Sequence, residues 1–486
     1  MGSRRSGTCS ITPAVSKDQV GAIVMGWLQE ALDALEDLGP KGGLERFASS
    51  LEPAWIDEAL AATGTVSVRR RKFPAEQAIW LVLGMALYAD RPIKAVVDHL
   101  GLVTTGDRHI AASAISKARY RLGPKPMMWL FERVAKAWSG KDTSGGYRGL
   151  GLYGVDGTHL RVPDSDENFM HFGKPGGRSG QGDSGYPQLR MVALLNLSSR
   201  LLAAARMGPF AESEQALVKD LWSEIPNNSL TIADRGFISY MSFLELVADG
   251  ENRHFLIRLK SDSAFEVVRE LPDGSVIALI HPPKYLLKKD PSLPGPIEVR
   301  IITYQHEGGQ PSRIATTLVD HETYPAQELI DLYHERWELE VSFDELKTHM
   351  LERKESLRSK KPDGIYQELW GQLLVYNLVR REMLLTANAC EIPAARISFR
   401  ASLLWIRDFW TTAWMISPGN VPRSLADLRD TLTDLILPER RTERRYPRHV
   451  KIKMSNYPRN RGRRPAPKRR RASTRRDTTK LGGSLK

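Results

Sequence analysis

At 486 residues, 41% of them hydrophobic, the chain has ample length for two or more domains and a sizeable core. The longest near-continuous apolar run, Ala78 to Ala89, has 12 residues, too short to span a bilayer. Two distant cysteines, Cys9 and Cys390, offer neither a disulfide framework nor a zinc site. No charged-then-apolar leader opens the chain, so a reducing cytosol is the expected setting. The net charge of +13 is unevenly spread. From Glu439 to Lys486 there are 19 Lys/Arg against three acids, which leaves 51 basic and 54 acidic residues elsewhere. The body is almost neutral, and a tail so composed is expected to be disordered and to seek polyanions.

Residues 1–18 are polar and expected to be mobile. Gly21 to Leu35 has an amphipathic helical pattern, and Ala75 to Ala89 has another, after the basic cluster Arg69, Arg70, Arg71 and Lys72. Asp90-Arg91-Pro92 restarts a helix, since Asp caps and Pro suits the first turn. Ser113 to Leu122 follows and is stopped by Gly123-Pro124. Lys117, Arg119 and Arg121 make it basic. Two short helices and a basic third resemble a helix-turn-helix, which would put the third in a major groove. A helical packing domain with a cationic edge fits the same pattern.

Lys141 to Gly149 reads as a linker, and a strand then ends at Asp156 in GLYGVDGT. Asp-Gly-Thr also closes the phosphatase pattern D-x-D-G-T, but its nucleophile position is Gly154 here, so that chemistry is set aside. His171 to Gln188 holds six glycines and reads as a loop. Gln188 to Leu197 and Leu201 to Gly208 form a strand pair about Ser198-Ser199-Arg200. Ala211 to Ile225 reads as a helix, Ser229 to Ala233 as a strand ending at Asp234, Ser239 to Asp249 as a helix and His254 to Lys260 as a strand. This is the element order of an RNase H-like mixed sheet. Between Lys260 and His321, three alternating runs separated by Pro and Gly turns suggest a β-rich insertion. Gln367 to Leu385 and Ile397 to Met415 are apolar helices.

Before those last helices stands the most informative stretch, Leu329 to Met350, expected as one helix. Tyr333, Arg336, Glu340 and Lys347 follow one another at spacings of three, four and seven. At roughly 100° per residue they project within about 60° of each other. A carboxylate takes a hard cation through oxygen, while the cations and the phenol hold phosphate oxygens. With Asp156 and Asp234, Glu340 completes the three acids that two-metal phosphodiester chemistry requires. Ordinary helix neighbours would instead pair Arg336 with Glu340 and Lys347 with Asp344. His159 and His171 lack metal-ligand spacing and are expected to pack.

The run Tyr333-x-x-Arg336-x-x-x-Glu340-x-x-x-x-x-x-Lys347 resembles, at every position, the YREK signature of the insertion-sequence-four family of DDE transposases. V-D-G-T about Asp156, A-D-R-G-F about Asp234 and LRSKKPDGIYQELWGQLLVYNLVR after the helix are similar to that family too. After the polar leader (1–18), which lies outside the resemblance, the resemblance implies a multidomain α/β protein with a helical N-terminal DNA-binding domain (19–140) and an RNase H-like catalytic domain (150–260 and 322–438, the latter with C-terminal helices). A β-rich insertion (261–321) interrupts the catalytic domain, and a basic disordered tail (439–486) follows. It implies that Asp156, Asp234 and Glu340 are catalytic and bind two Mg²⁺ ions, for which Mn²⁺ substitutes. Tyr333, Arg336, Lys347 and, in the N-terminal domain, Lys117, Arg119 and Arg121 would touch DNA. The implied partners are double-stranded DNA, as element ends and target, and a second copy of the chain on paired ends, in a bacterial cytoplasm. Some relatives hold a flipped base with a tryptophan in the insertion. This chain has no Trp between Trp222 and Trp337, so that role is either absent or falls to another side chain such as Tyr285 or Tyr304. An inert DNA-binding derivative and a non-mobile nuclease of the same fold are the other classes compatible with the residues.

The tail yields a direct test. Each phosphate neutralised contributes about −0.9 to the log–log salt slope of binding to duplex DNA. Deleting residues 439–486 should flatten that slope by roughly five units if a third of the 19 cations engage. Equal slopes for full-length and truncated chains would mean the tail makes no DNA contact.

Overall fold

The computed structural model describes residues 51–66, 73–102, 110–139, 146–175, 185–237, 239–248, 250–260, 263–305, 311–351, 357–412, 416 and 418–438. The polar leader, the Gly21–Leu35 helix, the Arg69–Lys72 cluster and the basic tail lie outside these residues. So do most of the linker and half of the glycine-rich loop.

Five described helices come first: α1 (Pro53–Ala62), α2 (Ala75–Leu87), α3 (Ile93–His99), α4 (Ala112–Leu122) and α5 (Lys125–Trp138). In α5, Met127, Leu130, Phe131, Val134 and Ala135 are buried at helical spacing, giving it one apolar face. In α2 nearly every residue is buried. Both pack on the central helix α12 (Pro362–Ala389), numbered in chain order after those given below. Gly371 permits the approach of α2, because a Cβ there would lie 2.6 Å from Val82 Cγ1. Phe131 meets Trp370 with ring centroids 5.2 Å apart. One hydrophobic core therefore runs from these helices through α12 to one face of the sheet.

The sheet begins with β1 (Gly151–Arg161); α6 (Asp166–Phe172) precedes β2 (Gln188–Asn196) and β3 (Leu202–Pro209). These three strands pair antiparallel. Helix α7 (Glu214–Lys219) leads to β4 (Ser229–Ala233), and α8 (Tyr240–Ala248) to β5 (Arg253–Arg258), both strands parallel to β1 in sense. The helix expected over Ala211–Ile225 is shorter. Ser213 Oγ caps α7 by accepting from Ala216 N at 3.1 Å, and an i→i−3 bond from Leu221 N to Val218 O tightens its end. A separate 3₁₀ turn, Trp222–Glu224, follows, and Ile225 precedes a proline, which disfavours helix.

The β-rich stretch does not form a sheet of its own. Strands β6 (Glu266–Glu270), β7 (Val276–Ile280), β8 (Ile297–Tyr304) and β9 (Ser312–Thr316) extend the first five, with the exposed helix α9 (Lys284–Lys289) between β7 and β8. The order is β3-β2-β1-β4-β5-β9-β8-β7-β6, continuous because β9 pairs with β5. Buried Arg300 on β8 pairs with Asp273 and donates to Tyr324 O at 2.6 Å. That fixes the chain just before α10 (Ala326–His334), which is followed by α11 (Trp337–Asp344), α12, α13 (Phe399–Thr412) and α14 (Val421–Thr433). On α12, Asn377 both donates to Leu202 O and accepts from Leu202 N at 2.9 Å, so it pins β3.

Gly154 carries the approach of α11 to the sheet. A Cβ at this strand position would collide with the Leu339 side chain and come within 3.1 Å of Leu197 Cδ2. Gly154→Ala should therefore destabilise the chain by about 1–3 kcal/mol, the usual cost of overpacking. Leu339→Ala in the same chain should return part of that loss by making room, a non-additivity read from urea denaturation of the two single variants and the double. Strictly additive losses would show that α11 is not seated on Gly154.

Candidate active site

The parallel register of β1 and β4 places the first two acids. Val155 pairs with Ala233 as the last match, so Asp156 and Asp234 are the next residues on adjacent strands. Asp234 leaves β4 there, and a 3₁₀ turn, Arg235–Phe237, closes back on it through Phe237 N to Asp234 O at 3.0 Å. Asp156 does not end its strand, as the sequence suggested. β1 continues to Arg161 because β2 pairs with it throughout, beyond the point where β4 stops.

The expected single helix over Leu329–Met350 is three pieces. Between α10 and α11 the bonds from Glu335, Arg336, Glu338 and Leu339 N–H all reach back three residues, an overwound turn. After α11, Glu345–Met350 is π-helical, underwound. Two buried ion pairs grip this region from behind. Arg200, in the β2–β3 turn, pairs with Glu338, and Arg380 on α12 pairs with Glu345, joined by Tyr376 whose hydroxyl donates to Glu345 Oε2 at 3.3 Å. Arg200 adopts a left-handed φ of +64°, a conformation that bulky residues seldom take.

Despite the breaks, all four signature residues border the Asp156–Asp234 edge. Arg336 lies between two acids, Nη1 3.3 Å from Asp156 Oδ2 and Nη2 2.8 Å from Glu340 Oε1. Tyr333 is buried, and its hydroxyl is pushed up to about 12 by burial and by the Asp234 charge, so it is a proton donor at neutral pH. Lys347 donates to Thr158 Oγ1, two residues beyond Asp156 on β1. Burial draws its ammonium below the ordinary lysine value, against the pull of Asp344 and Asp156. Asp344 does not take Lys347 as a hydrogen-bonded neighbour; it accepts from Thr348 Oγ1 at 2.7 Å.

Asp156 carries the clearest electrostatic mark. Burial raises its acid to about 6; the Gly157 N–H and Arg336 oppose that, and the charges of Glu340 and Asp234 reinforce it. Three carboxylates share a partly dry space with one guanidinium among them. Among the described residues, no three acidic, histidine or cysteine side chains stand close enough to enclose a metal ion as they lie.

Other residues fall differently from expectation. Arg119 does not face solvent: only 4% exposed, it pairs with Glu368 at 3.2 Å and donates to Gln367 Oε1 and Ser359 Oγ, both at 3.0 Å. Arg119 is thus engaged within the fold in this arrangement, while Lys117 and Arg121 on the same helix are exposed. His159 lies in β1 with Nε2 3.0 Å from Arg190 Nε, and His171 meets Tyr366 Oη at 3.1 Å, both in packing roles. Tyr304 packs edge-on against His334, whereas Tyr285 on α9 is 69% exposed. Sequence reasoning missed Thr158, Arg200, Glu338 and Arg380. Only the glycine two residues before Asp156 gave a readable sign of close helix approach.

Two family models match the chain: one described as "Insertion element 4 transposase N-terminal" over residues 41–132, and one described as "Transposase DDE domain" over residues 150–378. The transposase InsG for insertion sequence element IS4 of Escherichia coli (strain K12) is 34% identical over 417 residues, 85% of this chain and 93% of that protein. InsZ of the same strain is 32% identical over 308 residues, 62% of this chain and 98% of that protein. Among solved structures, a piggyBac transposase synaptic complex with hairpin DNA gives a distant likeness, with a TM-score of 0.40 and 11% identity over 82% of this chain and 86% of that one. On these matches the chain belongs to the insertion-sequence-four family of DDE transposases and acts in DNA transposition.

Proposed function

We propose that Asp156, Asp234 and Glu340 are the catalytic carboxylates and hold two Mg²⁺ ions during cleavage of element ends and transfer of the freed 3′ ends into target DNA. The observation that carries this reading is the β1–β4 register, which puts Asp156 and Asp234 side by side, with α11 delivering Glu340 to Arg336 beside them. The donor set fits the ions: all oxygen, anionic and crowded enough that burial and like charge raise the Asp156 acid to about 6. Bound Mg²⁺ supplies activation of the attacking oxygen and stabilisation of the leaving one, and Mn²⁺ has the same ligand preference.

The remaining signature residues hold the DNA strand. Arg336 offers two parallel N–H donors to one phosphate, the fork that fits it. Lys347 acts as a point charge; it donates to the neutral Thr158 hydroxyl and lies within the pull of the Asp344 and Asp156 charges. Tyr333 keeps its proton and can donate to a phosphate oxygen. The strand order β3-β2-β1-β4-β5 supports an RNase H-like catalytic core, with β6–β9 as an extension of it. Lys117 and Arg121, exposed on α4, support terminal DNA binding by the helical region, and the basic tail adds non-specific attraction to duplex DNA. Two copies on paired ends, acting in a bacterial cytoplasm, complete the reading.

Asp156→Ala, Asp234→Ala or Glu340→Ala should each lower cleavage and joining by at least about a thousandfold while leaving binding to element ends intact. Charge stabilisation acts at the transition state, whereas end recognition comes mainly from other surfaces. An Ala variant that still cleaves in Mg²⁺ would remove that residue from the assignment.

Arg336→Ala and Lys347→Ala should each slow cleavage on a pre-bound end by about 10- to 100-fold, the worth of a hydrogen bond to a charged group, with bound metal retained. Arg336→Lys should recover only part of the loss, since the fork is gone. Full activity in both Ala variants would reduce these residues to ordinary helix pairing, and metal loss in either would mean that it supports a ligand.

A further inference from the structure

Arg336 stands where a cation would stand. One of its N–H groups faces Asp156 Oδ2 at 3.3 Å and another faces Glu340 Oε1 at 2.8 Å, while the second oxygen of Asp156 already accepts from Gly157 N at 2.8 Å. Both oxygens of Asp156 are thus engaged, and one of Glu340. A guanidinium keeps its charge at any pH the protein meets, so deprotonation cannot clear the space; only another partner for Arg336 can. Its side chain is 18% exposed, enough for an incoming ligand to reach it.

The ligand best able to draw it off is a phosphodiester, whose two free oxygens take the same paired N–H donors that the carboxylates now accept. We infer that in the DNA-free chain Arg336 closes the metal site, and that a DNA phosphate opens it by taking Arg336. This rests on the reading that Asp156, Asp234 and Glu340 hold the metal. Metal and DNA then favour each other's binding by one and the same factor, as linkage requires. Lys347 has no comparable part, because its partner in this state is the Thr158 hydroxyl and not an acid. The consequence for the reaction is an order: the metal centre assembles on DNA that Arg336 has already gripped, and not on free protein.

The test measures metal binding without turnover. Mn²⁺ binding to the full-length chain, without DNA, is followed by electron paramagnetic resonance, with Asp156→Asn/Glu340→Gln as the baseline for incidental sites. Arg336→Gln should bind Mn²⁺ about tenfold more tightly than the unaltered chain, within the usual range of such couplings. Arg336→Gln/Glu340→Gln should lose that gain. A circular dichroism melt of each variant establishes folding. On the unaltered chain, Ca²⁺ should tighten binding of a duplex spanning a cleavage site by a similar factor, read by fluorescence anisotropy against chelator. Equal, tight Mn²⁺ binding by the unaltered chain and Arg336→Gln would overturn the closure while sparing the metal reading. No binding above baseline in any variant would overturn both. A duplex affinity indifferent to Ca²⁺ would overturn the coupling even if Arg336→Gln failed to fold.

Discussion

The seat of α11 against β1 is the constraint on which the site depends. Asp156 and Asp234 are neighbours by strand register alone, but Glu340 arrives from a helix more than a hundred residues later in the chain. Its position is set by Leu339, fully buried over the bare backbone of Gly154, and by Glu338, drawn into the interior by Arg200. A buried ion pair adds little net stability over a well-packed apolar pair, yet breaking one side typically costs about 3–5 kcal/mol. Such a pair therefore selects one orientation of the helix more than it strengthens the fold. The Arg200 backbone, held at positive φ in a tight turn, indicates that the guanidinium is needed at that position more than an easy turn residue would be.

The same logic accounts for the irregular helix. Glu338 and Glu345 are both buried and both bound to arginines, one from the β2–β3 turn and one from α12. Between and around these fixed points the backbone is overwound before α11 and underwound after it. π-helical turns cost regular hydrogen-bond geometry and occur disproportionately at functional sites. Here the underwound turn carries Lys347 to Thr158, and the overwound turn carries Arg336 to Asp156. The acids that face away from the site hold the frame, and two that face toward it, Asp156 and Glu340, share the Arg336 guanidinium.

Much of this was legible in the sequence, for identifiable reasons. Strand β4 reads cleanly because a short apolar run ends in Asp and a turn, and its bounds, Ser229–Ala233, are the ones observed. From β1 through β5 the order of strands and helices reads from periodicity, apart from the short helix α6, while α1 and α5 in the helical region left no such reading. What periodicity cannot show is pairing: nothing in residues 261–321 reveals that β9 joins β5 and makes one sheet of nine strands. Nor can it show a partner far away in sequence. Arg119 looks like one of three surface cations on α4, and only the fold brings it to Glu368 and Gln367 on α12. The breaks in the signature helix left no trace, because a uniform 100° step fits the four residues well while backbone bonds of three and five residues leave residue types unchanged. For Arg336 the sequence supplied the neighbour, Glu340, but not the second acid, Asp156, that turns a common helix pair into a bridge.

On the proposed reading, three acids from β1, the end of β4 and α11 form one metal centre on bound DNA. Anomalous scattering from Mn²⁺ in crystals of the full chain with a cleaved element end locates the ions directly. Two peaks bounded by Asp156, Asp234 and Glu340 are expected, with the Arg336 guanidinium on a DNA phosphate. Peaks bounded by other side chains, or Arg336 still bridging Asp156 and Glu340 with metal present, would contradict it.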